Sequence, residues 1–133
     1  MVNNAPAVST AQGPVLLIED DLFITDLLVH ELQRAGFQFD VAHNGTEGVE
    51  KFAAVQPRLL LLDLLLPDIH GFEALRQIRR MPGGMEVKVI VFSNIAEDAE
   101  DGESKRLGVD KYVVKANHTL QEVIAIIQEL LKT

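Results

Sequence analysis

The sequence predicts an α/β protein, a (βα)5 doubly wound parallel sheet of five strands with helices on both faces. Three observations predict it. Five short apolar runs alternate with helix-length stretches, four of which carry apolar residues at helical spacing. The runs are continuous and do not alternate with polar residues, the pattern of strands buried on both faces in a parallel sheet. A chain of 133 residues with 47% hydrophobic content also suffices for one core of ordinary domain size.

Residues 1–14 are mostly small or polar and lack apolar periodicity, so a flexible tail is expected before a folded domain spanning 15–133. Val15–Ile18 reads as the first strand. Leu22, Leu27, Leu28 and Leu32 then mark a helix that Gly36 stops. Phe37–Val41 is the second strand, and Asn44 suits the N-cap of a helix to Gln56, with Val49, Phe52 and Ala53 inward and Pro57 closing it. Leu59–Leu62 and Phe72–Met81 supply the third strand and helix, and Val87–Phe92 the fourth strand. The fourth helix, Ala96–Leu107, is acidic, holds Gly102 and has almost no apolar stripe, so it is expected to be short or mobile. Tyr112–Val114 and Thr119–Leu131 complete the series.

The net charge of −8, with no run of Lys or Arg to neutralise a row of phosphates, argues against direct nucleic-acid contact. With no cysteine, neither a disulfide framework nor a thiolate metal site can form. Leu59–Leu66 is too short to cross a bilayer and contains Asp63, and the N-terminus lacks the pattern of a signal peptide. No membrane association and a cytoplasmic location are therefore expected. His30, His43, His70 and His118 have no ligand-like spacing and read as solvated.

In such a sheet, ligands sit beyond the carboxyl ends of the strands. There the sequence puts Glu19-Asp20-Asp21 after strand one, Asp63 after strand three, Ser93-Asn94 after strand four and Lys115 after strand five. Each has an ordinary reading alone: the acids could cap the first helix, Ser93 and Asn94 the fourth, and Lys115 could be solvated. Asp21 is read as a cap only. Jointly they mean more. Asp63, flanked by Leu59–Leu62 and Leu64–Leu66, needs cationic company to be buried, and three carboxylates with one lysine call for a hard divalent cation, Mg²⁺ where a phosphate joins.

From Val15 to Leu131 the chain resembles the receiver domains of two-component response regulators. The resemblance rests on Val15-Leu16-Leu17-Ile18-Glu19-Asp20-Asp21, on Leu60-Leu61-Leu62-Asp63 with Pro67 and Gly71 following, on Val91-Phe92-Ser93, and on Asp110-Lys111-Tyr112-Val113-Val114-Lys115. It implies a flavodoxin-like strand order 2-1-3-4-5. It implies Asp63 as phosphoacceptor, with Glu19, Asp20, Asp63 and the Leu65 carbonyl holding Mg²⁺, Ser93 and Lys115 binding phosphoryl oxygens, and Ser93 and Tyr112 as switch residues. The implied partners are a sensor histidine kinase or phosphotransfer protein and a downstream protein target. The implied role is a regulator, with no catalysis beyond its own phosphoryl transfer and dephosphorylation.

Two departures from the family pattern carry expectations. Lys115 is followed by Ala116 where most relatives have proline, so a trans bond and a shifted loop are expected. The weak fourth helix belongs to the family's usual dimer face, which leaves a homodimer an open reading. With one helix beyond Lys115, the chain is expected to act through protein contacts, and a phosphorelay intermediate, a phosphate sink or a phosphorylation-independent binding module are the alternatives. A haloacid-dehalogenase-type hydrolase would want an aspartate where Leu65 stands, and a flavodoxin-type phosphate loop is disfavoured by Glu19-Asp20-Asp21. Apolar Leu65 and Ile95, two residues beyond Asp63 and Ser93, are expected to disfavour an attacking water and prolong the phosphorylated state.

Overall fold

The computed structural model describes residues 14–96 and 102–132. Strands β1 (Val15–Ile18), β2 (Phe39–Ala42), β3 (Leu59–Leu62), β4 (Lys88–Ser93) and β5 (Lys111–Val114) form one sheet in the order β2-β1-β3-β4-β5. Every neighbouring pair is parallel. The helices are α1 (Leu22–Arg34), α2 (Gly45–Val55), α3 (Gly71–Arg79), α4 (Glu103–Arg106) and α5 (Leu120–Leu131), with a 3₁₀ turn at Lys115–Asn117.

Successive residues of a strand point to opposite faces, and the sheet has a core on each. Val15, Leu17, Leu59, Leu61, Ile90, Phe92 and Val113 pack on one side with Leu28 and Leu32 of α1 and Val123 and Ile127 of α5. Leu16, Ile18, Leu60, Leu62, Val89 and Val91 pack on the other with Phe52 of α2 and Phe72, Leu75 and Ile78 of α3. That double burial is why the strands read as unbroken apolar runs. Strand order reverses between the adjacent strands β1 and β3, where Ile18 pairs with Leu62, so the crevice of such a fold opens beyond these two residues.

Several element bounds move. β2 begins at Phe39, because the Phe37 N–H still donates to the Leu32 carbonyl in closing α1. β4 and β5 each shift or extend by one residue, and α3 starts at Gly71 and ends at Arg79. Only Glu103–Arg106 of the expected fourth helix is helical among the described residues, preceded by Gly102 at φ 77°, while 97–101 and the expected tail at 1–13 lie outside them. Leu22 and Leu27 are exposed, since the buried stripe of α1 runs through Thr25, Leu28 and Leu32. Ala53 is likewise exposed. No helix of the described residues is long and apolar enough to cross a membrane.

Candidate functional site

The sheet ladder itself delivers the acids. The Asp63 N–H donates to the Ile18 carbonyl at 3.0 Å and the Glu19 N–H to the Ala42 carbonyl at 2.9 Å, so both residues emerge side by side past the strand ends. One carboxylate oxygen from each of Glu19, Asp20 and Asp63 lies within 4.8 Å of the others. Glu19 is 1% and Asp63 5% exposed, whereas Asp20 is open to solvent. The Asp21 carboxylate turns away and accepts the Ile24 N–H at 3.0 Å as the N-cap of α1, the cap role expected of it.

Lys115 answers this charge. Its Nζ lies 2.9 Å from Glu19 Oε1 and 3.2 Å from Asp63 Oδ2, and 5.5 Å from the centroid of the Phe92 ring. Burial works against its charge, but the hydrogen bond to Glu19 and the nearby Asp63 carboxylate win and raise its pKa. Glu19 shows the opposite balance. Desolvation, with the repulsion of Asp63 added, outweighs the hydrogen bond from Lys115 and lifts its pKa from 4.5 to about 7. One lysine therefore does not settle three carboxylates, and the hard oxygen donors fit a divalent cation such as Mg²⁺.

Ser93 ends β4 with its Oγ fully buried and without a hydrogen-bond partner among the described residues. A buried hydroxyl left unpaired is costly, and a ligand oxygen at the strand end would complete it. On β5 the Tyr112 hydroxyl donates to the Ile95 carbonyl at 2.7 Å, tying the aromatic ring to the loop after Ser93. The Leu65 N–H donates to Asp63 Oδ1 at 3.3 Å, and Leu65 is 58% exposed. Ile95 is partly buried against the second core.

The loop from Leu64 to His70 is pinned at several points. A Cβ on Gly71 would sit 2.3 Å from the Asp63 carbonyl oxygen, so only glycine fits there. Asp68 accepts the N–H groups of Gly45 and Thr46, both at 2.8 Å, at the start of α2. Although burial opposes it, bonds from Thr46, Gly45 and Ile69 hold the Asp68 carboxyl well below the usual carboxylate range. His70 caps α3, its Nδ1 accepting the Phe72 N–H at 3.0 Å. His70 is exposed, as expected, and its cap role and the Asp68 clamp are what the sequence reading does not single out. Asp68, directly after Pro67, carried a turn signal that went unused. The Lys115–Ala116 bond is trans, as expected. Its Ala116 N–H donates to Asn94 Oδ1 at 3.1 Å.

A family profile described as the response regulator receiver domain matches residues 15–128. The chain belongs to that family. Among curated relatives it is similar to the transcriptional regulatory protein TrcR of Mycobacterium tuberculosis, 31% identical over 99% of this chain and 51% of the relative. It is also similar to the transcriptional regulatory protein CusR of Escherichia coli, 30% identical over 89% and 51%. The chain thus spans about half the length of the curated relatives it matches. Among solved structures, a CheY-like receiver domain protein from Methanospirillum hungatei superposes with a TM-score of 0.80 at 28% identity, covering 90% of this chain and 93% of that one. The receiver domain of the sensor histidine kinase PA1611 from Pseudomonas aeruginosa, solved with magnesium coordinated in its active-site cleft, matches at TM-score 0.81 and 22% identity over 91% and 98%.

Proposed function

We propose that this chain is a phosphorylation-operated switch whose Asp63 accepts a phosphoryl group from the phosphohistidine of a sensor histidine kinase or phosphotransfer protein. One observation carries the reading: the buried Asp63 carboxylate holds the Lys115 ammonium, and Ser93 ends the neighbouring strand β4 with a buried hydroxyl that has no partner among the described residues. An Asp63 oxygen attacks phosphorus in line. The new O–P bond forms as the histidine N–P bond breaks, and the electron pair stays on the imidazole nitrogen. Lys115 stabilises the charge on a phosphoryl oxygen, and the Ser93 hydroxyl donates to another. A Mg²⁺ ion held by Glu19, Asp20, Asp63 and the Leu65 carbonyl would supply the remaining positive charge.

Drawing Ser93 toward the phosphoryl group shifts the loop to which Tyr112 is bonded, and so biases a two-state surface read by a downstream protein. Beside the acids, Leu22, Phe23 and Leu27 of α1 are 65%, 71% and 39% exposed, a non-polar surface suited to a helical phosphodonor protein. The functional unit is residues 15–133, acting in the cytoplasm without direct nucleic-acid contact. Incubation with Mg²⁺ and acetyl phosphate followed by intact mass tests this. Wild type gains one phosphoryl group, while Asp63→Asn, or wild type with a chelator, gains none. Labelling of Asp63→Asn at the wild-type rate overturns the assignment.

A further inference from the structure

We infer that Asn94 is a positioning residue for the phosphoryl transfer proposed above, its carboxamide fastening the Ser93 strand end to the loop that carries Lys115. The β4–β5 ladder ends at the pair Ser93–Val114. Beyond Val114 the chain coils into the 3₁₀ turn of Lys115–Asn117, so backbone pairing between the two strands cannot continue. Asn94 Oδ1 supplies the next rung from a side chain, accepting the Ala116 N–H at 3.1 Å. The residues on either side of this rung are the two that would hold phosphoryl oxygens. Ser93 precedes Asn94 with a buried Oγ that has no hydrogen-bond partner among the described residues, and Lys115 precedes Ala116 with its Nζ between Glu19 and Asp63. Further back on β5, the Tyr112 hydroxyl donates to the Ile95 carbonyl and gives the loop after β4 a second tie.

The rung exists because residue 116 has an N–H to give. A proline there would have none. Without the rung, the Lys115 backbone loses its lateral anchor, and the ammonium must find its place against two carboxylates by side-chain freedom alone. Asn94 and Ala116 are both exposed, so the bond competes with water and its loss costs a modest factor.

The experiment compares Asn94→Ala, which removes the acceptor, with Asn94→Asp, which keeps an oxygen at the same place. With acetyl phosphate and Mg²⁺, Asn94→Ala lowers the maximal labelling rate about two- to tenfold, the range expected of one net hydrogen bond. Asn94→Asp recovers most of that loss. Mg²⁺ affinity by calorimetry stays at the wild-type value, since the carboxylate ligands sit beyond β1 and β3. In the metal-free, unphosphorylated proteins, the Lys115 ε-methylene NMR signals shift in Asn94→Ala and return toward wild type in Asn94→Asp. Unchanged Lys115 signals, a wild-type rate in Asn94→Ala, an Asp variant no better than Ala, or a matching loss of Mg²⁺ affinity each overturn the inference. A wild type that takes up no phosphoryl group would overturn the proposed function, while the Lys115 signals still decide the role of Asn94.

Discussion

Glu19→Gln should stabilise the metal-free protein. Glu19 is 1% exposed and its pKa rises from 4.5 to about 7, chiefly through desolvation. A group whose folded pKa lies above its unfolded value favours the folded state while protonated. That support is present below pH 4.5 and is lost as the pH climbs through 7. At about 1.4 kcal/mol per pKa unit, the ionised side chain costs about 3 kcal/mol at pH 8. Glutamine removes the charge, and its carbonyl can still accept the Asp21 N–H that now reaches Glu19 Oε2 at 3.1 Å. Lys115 keeps Asp63 as its partner. Urea unfolding at pH 8 with a chelator, followed by far-UV circular dichroism because the chain has no tryptophan, should show Glu19→Gln more stable by about 2–3 kcal/mol. The gain should shrink steadily below pH 7 and nearly vanish toward pH 4.5. Excess Mg²⁺ should close or reverse the gap, since only the wild type offers the full carboxylate set. A variant no more stable than wild type at pH 8 without metal would refute the claim that Glu19 is held there against its own desolvation.

Two further outcomes concern the phosphorylated form. Ser93→Ala should still be labelled on Asp63 but show smaller amide shift changes around Tyr112 by NMR, and full-sized changes would break the coupling route through the Ile95 carbonyl. The double variant Leu65→Asn, Ile95→Glu should lose its phosphoryl group faster than wild type once the donor is removed, because polar side chains can orient an attacking water. Equal decay would mean that neither apolar side chain guards the phosphoryl group, with exposed Leu65 the more informative of the two.

Strands β1 and β3 were legible to the residue because runs of Val, Leu and Ile buried on both faces leave no room for another register. The acids and Lys115 were legible because strand ends converge in any parallel sheet, so position along the chain became position in space. The inward face of α1 was not. Its leucines at 22 and 27 lie off the stripe of Thr25, Leu28 and Leu32, and a threonine whose hydroxyl donates to the Asp21 carbonyl at 2.9 Å does not count as apolar in a periodicity reading. The bonds made by Asp68, His70 and Asn94 escaped for another reason. Each residue makes its bond to a backbone N–H, and for Asp68 and Asn94 that N–H is 22 or 23 residues away in the chain.

The Asp68 clamp makes the two halves of the crevice mechanically unequal. The β3 loop is bolted to the start of α2 by two N–H bonds, Ile69 presses on Gly45, and the Gly71 N–H is held by the Leu64 carbonyl at 2.9 Å. Such a loop resembles an anvil: it can receive a charge without yielding. Among the described residues, side-chain bonds from Tyr112 of β5 and from Asn94 hold the loop after β4 to β5 and to the turn beyond it. With Asp63 phosphorylated as proposed, the displacement is expected on the β4–β5 flank, and the downstream partner is expected to read that side and not the face over α2.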